Sequence, residues 1–240
     1  MKKALITGAN KSIGYETARQ LAQLGYYIFI TARDIEKGEA AIEQLKVEGF
    51  NNTAFVQMDV TSQASVTKAY EQVSAQSSTL DVLINNAGIS GGLPQPATSF
   101  PAEKVMQVFE TNLFGVIRVT QTFLPLLKAA PAPRIVNVTS GIGSLTHQSD
   151  PSWEYYHLKG AAYGPSKTAL NAYTISLAYD LKDLPFKVNA IDPGYTATDF
   201  NNHRGYKTVA DGAKPIVQFA TLDENGPTGG YYGEEGQIPW

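Results

Sequence analysis

An α/β fold in a single domain, built on a doubly wound parallel sheet, is what this sequence predicts, and three observations carry that expectation. Short apolar runs alternate with amphipathic stretches along the chain, the pattern of βαβ units with right-handed crossovers. The first apolar run ends in a turn bracketed by Gly8 and Gly14. No linker, repeat or low-complexity tract interrupts the 240 residues, a length that suits one domain with a large core.

Taken in order, Ala4-Leu5-Ile6 reads as a buried strand, and Ile13 to Leu24 as a helix ended by Gly25. Tyr27 to Ile30 is a second strand. Asp34 then stands as the N-cap of a helix from Ile35 to Val47. Strands follow at 53–58, 82–85 and 134–138, and helices at 62–75, 102–127 and 163–181. A last strand, 186–191, precedes Asp192-Pro193-Gly194. The irregular segments 86–101, 141–162 and 193–208 all follow strand ends, where doubly wound sheets bind ligands.

Composition narrows the functional classes. Charge is −3 with no basic cluster, so no nucleic-acid partner is expected. There is no cysteine, and His147, His157 and His203 lack metal-ligand spacing, so no metal site is expected. Met1-Lys2-Lys3 is followed by only three apolar residues, too few for a signal-peptide core. No run approaches a membrane span, and a soluble cytoplasmic protein is the expectation.

The first βα turn, Thr7-Gly8-Ala9-Asn10-Lys11-Ser12-Ile13-Gly14, is suited to a dinucleotide pyrophosphate. Glycine lets the backbone approach a phosphate, and the new helix offers unpaired N–H groups at its positive end. An ordinary strand-to-helix turn looks similar; the βαβ setting favours the binding reading. An acidic side chain ending the second strand would bind the adenosine ribose and repel a 2′-phosphate. Here Ala32 and Arg33 stand instead, and Lys11 adds a second cation, which favours NADP(H) over NAD(H).

The reacting groups are a phenol and an ammonium. Tyr163 and Lys167 lie four residues apart on one helix face. Reducing a carbonyl needs an acid for the developing alkoxide, and a phenol of pKa about 10 is a poor one near neutrality. An ammonium about 4 Å away, at an effective dielectric of about 20, favours phenolate by about 4 kcal/mol, roughly three pKa units before desolvation. Tyr155 and Lys159 share the same spacing and lie nearer Ser140. A helix starting at Tyr155 would enclose Gly160 and Pro165, whereas a start near Tyr163 leaves Pro165 in the first turn. Tyr163 is therefore preferred.

These motifs resemble the short-chain dehydrogenase/reductase family, whose turn reads Thr-Gly-x-x-x-Gly-x-Gly on a Rossmann fold. Ser12 replaces the usual middle glycine, and Pro165 replaces the usual small residue in Tyr-x-Ala/Ser-Ser/Thr-Lys. The resemblance implies that Asp59-Val60 meets the adenine and that Asn86-Ala87-Gly88 passes beside the cofactor ribose. It implies that Ser140 donates to the substrate oxygen, and that Asn112 kinks its helix and holds a water leading to Lys167. Tyr163 and Lys167 also hold the cofactor, and Pro193, Gly194 and Thr198 meet the carboxamide of the nicotinamide. Asn10-Lys11, Thr31 to Asp34 and the tail from Gly226 to Trp240 resemble the carbonyl-reductase branch. Ser140 stands 23 positions before Tyr163, about ten more than in many members.

The expected activity is NADPH-dependent reduction of a ketone or aldehyde, with a small carbonyl or alcohol substrate as partner. Two alternatives stand beside it: an NADP-dependent dehydrogenase oxidising an alcohol, steroid or sugar, and a non-catalytic NADP-binding sensor or scaffold. The set Asn112, Ser140, Tyr163 and Lys167 argues against the last, since a pure binder needs no proton relay. Whether 144–160 walls the substrate pocket or covers helix faces stays open, as does the choice between monomer and homo-oligomer.

Overall fold

Side-chain alternation along the strands decides how this chain layers. In the computed structural model, which describes residues 1–240, strands β1 (Lys3–Ile6) and β2 (Tyr27–Ala32) send Leu5 and Phe29 to one face of the sheet. Ile6, Ile28 and Ile30 go to the other face. Each face buries its own cluster, so both sides need helices. One side is covered by α1 (Ser12–Gln23), α2 (Ile35–Val47) and α8 (Val209–Ala220), through residues such as Leu21, Leu45 and Ile216. The other is covered by α3 (Gln63–Gln76), α5 (Gly115–Lys128) and α7 (Tyr163–Asp180), through Val66, Phe123 and Leu177.

The sheet has eight strands in the order β3-β2-β1-β4-β5-β6-β7-β8. Here β3 is Thr53–Gln57, β4 Val82–Asn85, β5 Arg134–Val138 and β6 Lys187–Ile191, all parallel. Strand order reverses between β1 and β4, which opens a crevice at their carboxyl ends. The expected elements recur with boundary shifts of a residue or two. Asp34 caps α2 by accepting the Lys37 N–H at 3.1 Å, as expected.

Three features depart from the expected pattern. The helix read from periodicity over 102–127 is broken where the family resemblance places a kink: α4 (Ala102–Phe109) and α5 are joined by a π-turn, Glu110–Phe114, centred on Asn112. The segment 141–162 contains a 3₁₀ turn, Gly141–Gly143, and a short helix, α6 (Leu145–Ser149). The tail adds α8, β7 (Tyr231–Gly233) parallel to β6, and β8 (Gly236–Gln237) antiparallel to β7. No helix is long and apolar enough to cross a membrane.

Candidate active site

The phosphate turn lies at the mouth of the crevice and is held from below. Thr7 Oγ1 accepts the N–H groups of Asn86 and Ala87, each at 2.9 Å. Asn86 Nδ2 donates to the carbonyls of Thr7 and Gly8 at 2.8 and 3.2 Å. Asn86 thus braces the turn, a role beyond its expected place beside the ribose. A Cβ at Gly14 would sit 2.5 Å from Asn86 Nδ2 and 2.8 Å from the Gly8 carbonyl oxygen, so only glycine fits. Gly8 has φ +63, in the region glycine adopts without penalty. Ser12 has φ +57, so the side chain at the departure from the motif sits in a left-handed conformation.

These residues fit a dinucleotide. The first turn of α1 has no side-chain cap, which leaves its N–H groups to a phosphate, and Asn10, Ser12 and Ile13 line the turn. Arg33 is exposed just beyond β2. Lys11 is not isolated: its Nζ pairs with Asp199 at 2.7 Å. Asp59 carries the N–H and hydroxyl of Thr61 on one carboxylate oxygen, at 2.9 and 2.7 Å, and Val60 beside it is buried. Gly194 has φ +74, and Thr198 caps the turn Asp199–Asn201.

The helix bearing the phenol starts at Tyr163, as the Gly160 and Pro165 argument expects. Its N-terminus has no capping side chain of its own. Instead the Gln95 amide oxygen accepts the N–H groups of Ala162 and Tyr163 at 3.2 and 3.1 Å, while its Nε2 donates to Ser90 and Gly92. Gln95 is buried and ties the loop after β4 to the first turn of α7. It belongs to the site, yet a glutamine in an irregular stretch carries no periodic signal.

Ser140, Tyr163 and Lys167 converge. Lys167 is 4% exposed, donates to the Val138 carbonyl at 2.8 Å, and has its Nζ 5.8 Å from the Tyr163 ring centroid. Burial pushes the Lys167 ammonium down to about 8. Burial also pushes the Tyr163 phenol up, with Asp192 adding to the rise and a hydrogen bond with Ser140 opposing it. The expected lowering of the phenol by Lys167 is not found: the ammonium is turned to the Val138 carbonyl, and desolvation penalises both charged forms. Asn112, fully buried, donates from Nδ2 to the Ile89 carbonyl and to Ser166 Oγ, both at 3.0 Å, and accepts the Ile89 N–H at 2.9 Å. Ser166 Oγ in turn donates to the Tyr163 carbonyl at 2.7 Å, so the π-turn and the start of α7 are locked together.

The competing pair does not assemble. Lys159 Nζ donates to the Gln148 carbonyl and lies over the Tyr156 ring at 3.8 Å, away from Tyr155. Tyr155 packs instead on Tyr195, with centroids 6.0 Å apart, and on Trp153 at 5.5 Å. Phe200, 44% exposed, lies against the Tyr163 ring at 5.1 Å. The segment before the tyrosine and the loop after Gly194 thus meet above the reacting groups.

Known proteins resemble this chain in sequence and in fold. A family model described as short chain dehydrogenase matches residues 2–208. The chain is 40% identical over 224 residues to a short-chain dehydrogenase of Penicillium roqueforti, covering 90% of this chain and 87% of that one. It is 32% identical over 299 aligned positions to salutaridine reductase of Papaver bracteatum, covering 97% and 94% respectively. Among solved structures, NADPH-bound carbonyl reductase from chicken fatty liver matches with a TM-score of 0.86 at 27% identity, over 100% of this chain and 99% of that one. With the family model spanning most of its length, this chain belongs to the short-chain dehydrogenase/reductase family and is an oxidoreductase of carbonyl and alcohol groups.

Proposed function

We propose that the protein reduces a ketone or aldehyde to an alcohol with NADPH, using Tyr163 as the general acid. The observation that carries this reading is the meeting of Ser140, Tyr163 and Lys167 beside a glycine turn built for phosphate. When bound, the cofactor supplies hydride to the carbonyl carbon. Gly8, Asn10, Lys11, Ser12, Ile13 and Gly14 hold its pyrophosphate end, and Arg33 with Lys11 favours a 2′-phosphate. Asp59, Val60, Asn86, Ala87 and Gly88 line its adenosine and ribose, and Pro193, Gly194 and Thr198 its carboxamide.

Ser140 donates a hydrogen bond to the substrate oxygen, and Tyr163 gives that oxygen its proton. Burial keeps the phenol protonated at neutral pH but makes it a weaker acid, so donation relies on the hydrogen bond from Ser140 and on proton supply from Lys167. Lys167, near pKa 8, exchanges protons at working pH and replaces the one Tyr163 loses; Asn112 fixes the segment through which that return passes. The relatives named reductases and the NADPH-bound neighbour support both direction and cofactor. Stopped-flow oxidation of NADPH against a panel of ketones and aldehydes tests the reading. Turnover that prefers NADPH to NADH is expected; binding of NADPH with no turnover on any carbonyl or alcohol would favour the sensor instead.

A further inference from the structure

The peptide that follows Ser140 is held from both ends by two residues outside the reacting set. Tyr231, on β7 and fully buried, donates from its hydroxyl to the Ser140 carbonyl at 2.6 Å. The Gly143 N–H reaches the same oxygen at 2.7 Å. On the other side, the Asp192 carboxylate faces the Gly141 N–H, and it also accepts the Gly194 N–H at 3.0 Å. A Cβ at Gly141 would sit 3.2 Å from Asp192 Oδ2, so the carboxylate lies close against this residue. Asp192 is itself anchored, its N–H donating to the Tyr232 carbonyl at 2.8 Å next to Tyr231.

Ser140 has an extended backbone, φ −164, and heads the Gly141–Gly143 turn, so the direction in which its Cα–Cβ bond carries the hydroxyl follows that peptide plane. A peptide whose carbonyl takes two hydrogen bonds and whose N–H faces a buried carboxylate has little rotation left. We infer that Asp192 and Tyr231 are positioning residues for Ser140: together they clamp the Ser140–Gly141 peptide and so aim the serine hydroxyl at the oxygen that Tyr163 protonates. Asp192 adds a second effect, since the same carboxylate joins this turn to Gly194 in the cofactor loop. Tyr231 sits in a tail strand and Asp192 immediately before Pro193, so neither carries a spacing signal linking it to Ser140.

The inference rests on the proposed carbonyl reduction, and its test separates the two. Tyr231→Phe and Asp192→Asn are made singly and in a Ser140→Ala background, with NADPH turnover, NADPH affinity and hydrogen exchange of the Gly141 amide measured for each. Tyr231→Phe keeps the ring that stacks on Trp240 at 5.5 Å and leaves the Ser140 carbonyl its Gly143 partner, so folding should persist. Each single substitution should lower kcat by about tenfold, the scale of one lost hydrogen bond, and Tyr231→Phe, whose hydroxyl does not touch the cofactor loop, should hold NADPH affinity within twofold. In the Ser140→Ala background Tyr231→Phe should change kcat by less than about twofold, because the group being aimed is gone; Asp192→Asn, which also acts on Tyr163 and Gly194, is read by exchange at Gly141. Equal losses of kcat from Tyr231→Phe in both backgrounds would overturn the assignment. Exchange at Gly141 should quicken in both variants, a reading that needs no turnover. If the wild-type protein reduced no carbonyl, the proposed function would fall while faster exchange still supported the clamp; unchanged exchange would overturn the clamp.

Discussion

Lys11 and Asp199 form an ion pair of 2.7 Å that joins the phosphate turn to the loop after Gly194. Asp199 also meets His203 Nε2 at 3.0 Å. Both partners of the pair are mostly exposed, so its effect on stability is small and falls with salt. Its interest lies in Lys11, which serves either Asp199 or an incoming 2′-phosphate. Asp199→Asn should leave the melting temperature unchanged and tighten NADPH a few-fold at low salt, with NADH unaffected. Weaker NADPH binding would mean that Asp199 holds Lys11 in the productive position.

Arg33 has no ion-pair partner. Arg33→Asp should weaken NADPH by at least about 2 kcal/mol, through a lost charge-assisted contact and gained repulsion, and NADH far less. Calorimetric titration with both cofactors decides it: equal losses would remove Arg33 from the phosphate site.

Ser12 holds φ +57 where the family pattern has glycine. Ser12→Gly should relieve left-handed strain of about 1–2 kcal/mol, less the chain entropy that glycine adds, for a net gain of about 0.5–1 kcal/mol. For a chain of this size that is a rise of about 2–3 °C in the melting temperature. An unchanged or lower value would contradict the strain argument.

Lys167 is held near pKa 8, below its ordinary 10.5, by burial. Its folded pKa is depressed, so the unfolded chain binds more protons between the two values and stability rises with pH through that window. Below pH 8 the buried ammonium costs of the order of 3 kcal/mol. Without cofactor, Lys167→Met should therefore melt higher than the wild type at pH 7, with the gap closing towards pH 10.5. A gap that widened with pH would contradict the burial account.

The sheet and the Tyr163–Lys167 pair were legible in the sequence because periodicity and spacing encode them, whereas Ser140 was reached only through the family resemblance. Ala4-Leu5-Ile6 is apolar on both faces, and Tyr163 to Lys167 is one helical turn. What escaped depends on contacts between distant segments. The π-turn at Asn112, expected as a kink only through the resemblance, forms because its amide bonds to Ile89 and Ser166, which apolar spacing along 102–127 does not reveal. Gln95 caps α7 from 67 residues away, and Tyr231 reaches Ser140 across 91. Helix α8 did carry a local signal, Thr208 as N-cap before Ala213, Ile216 and Phe219, but Pro215 within it reads as a breaker. The open question of 144–160 is favoured towards a pocket wall by Tyr155 against Tyr195 and by Trp153, which lies 3.6 Å from a Cβ placed on Gly141. On that reading, Trp153→Ala should reorder bulky and small ketones and leave NADPH affinity intact; a lower melting temperature with the ranking unchanged would favour a cover.

Tyr163 is the proposed proton donor, and Tyr155, with the same spacing to a lysine, is its internal control. Single-turnover reduction with NADPH, comparing Tyr163→Phe and Tyr155→Phe, tests it most directly. Tyr163→Phe should lower the rate by several orders of magnitude with NADPH still bound, since the ring that packs on Phe200 remains and only the acid is lost. Tyr155→Phe should change it less than about tenfold, because Lys159 is turned towards Gln148. An active Tyr163→Phe variant beside an inactive Tyr155→Phe variant would contradict the account.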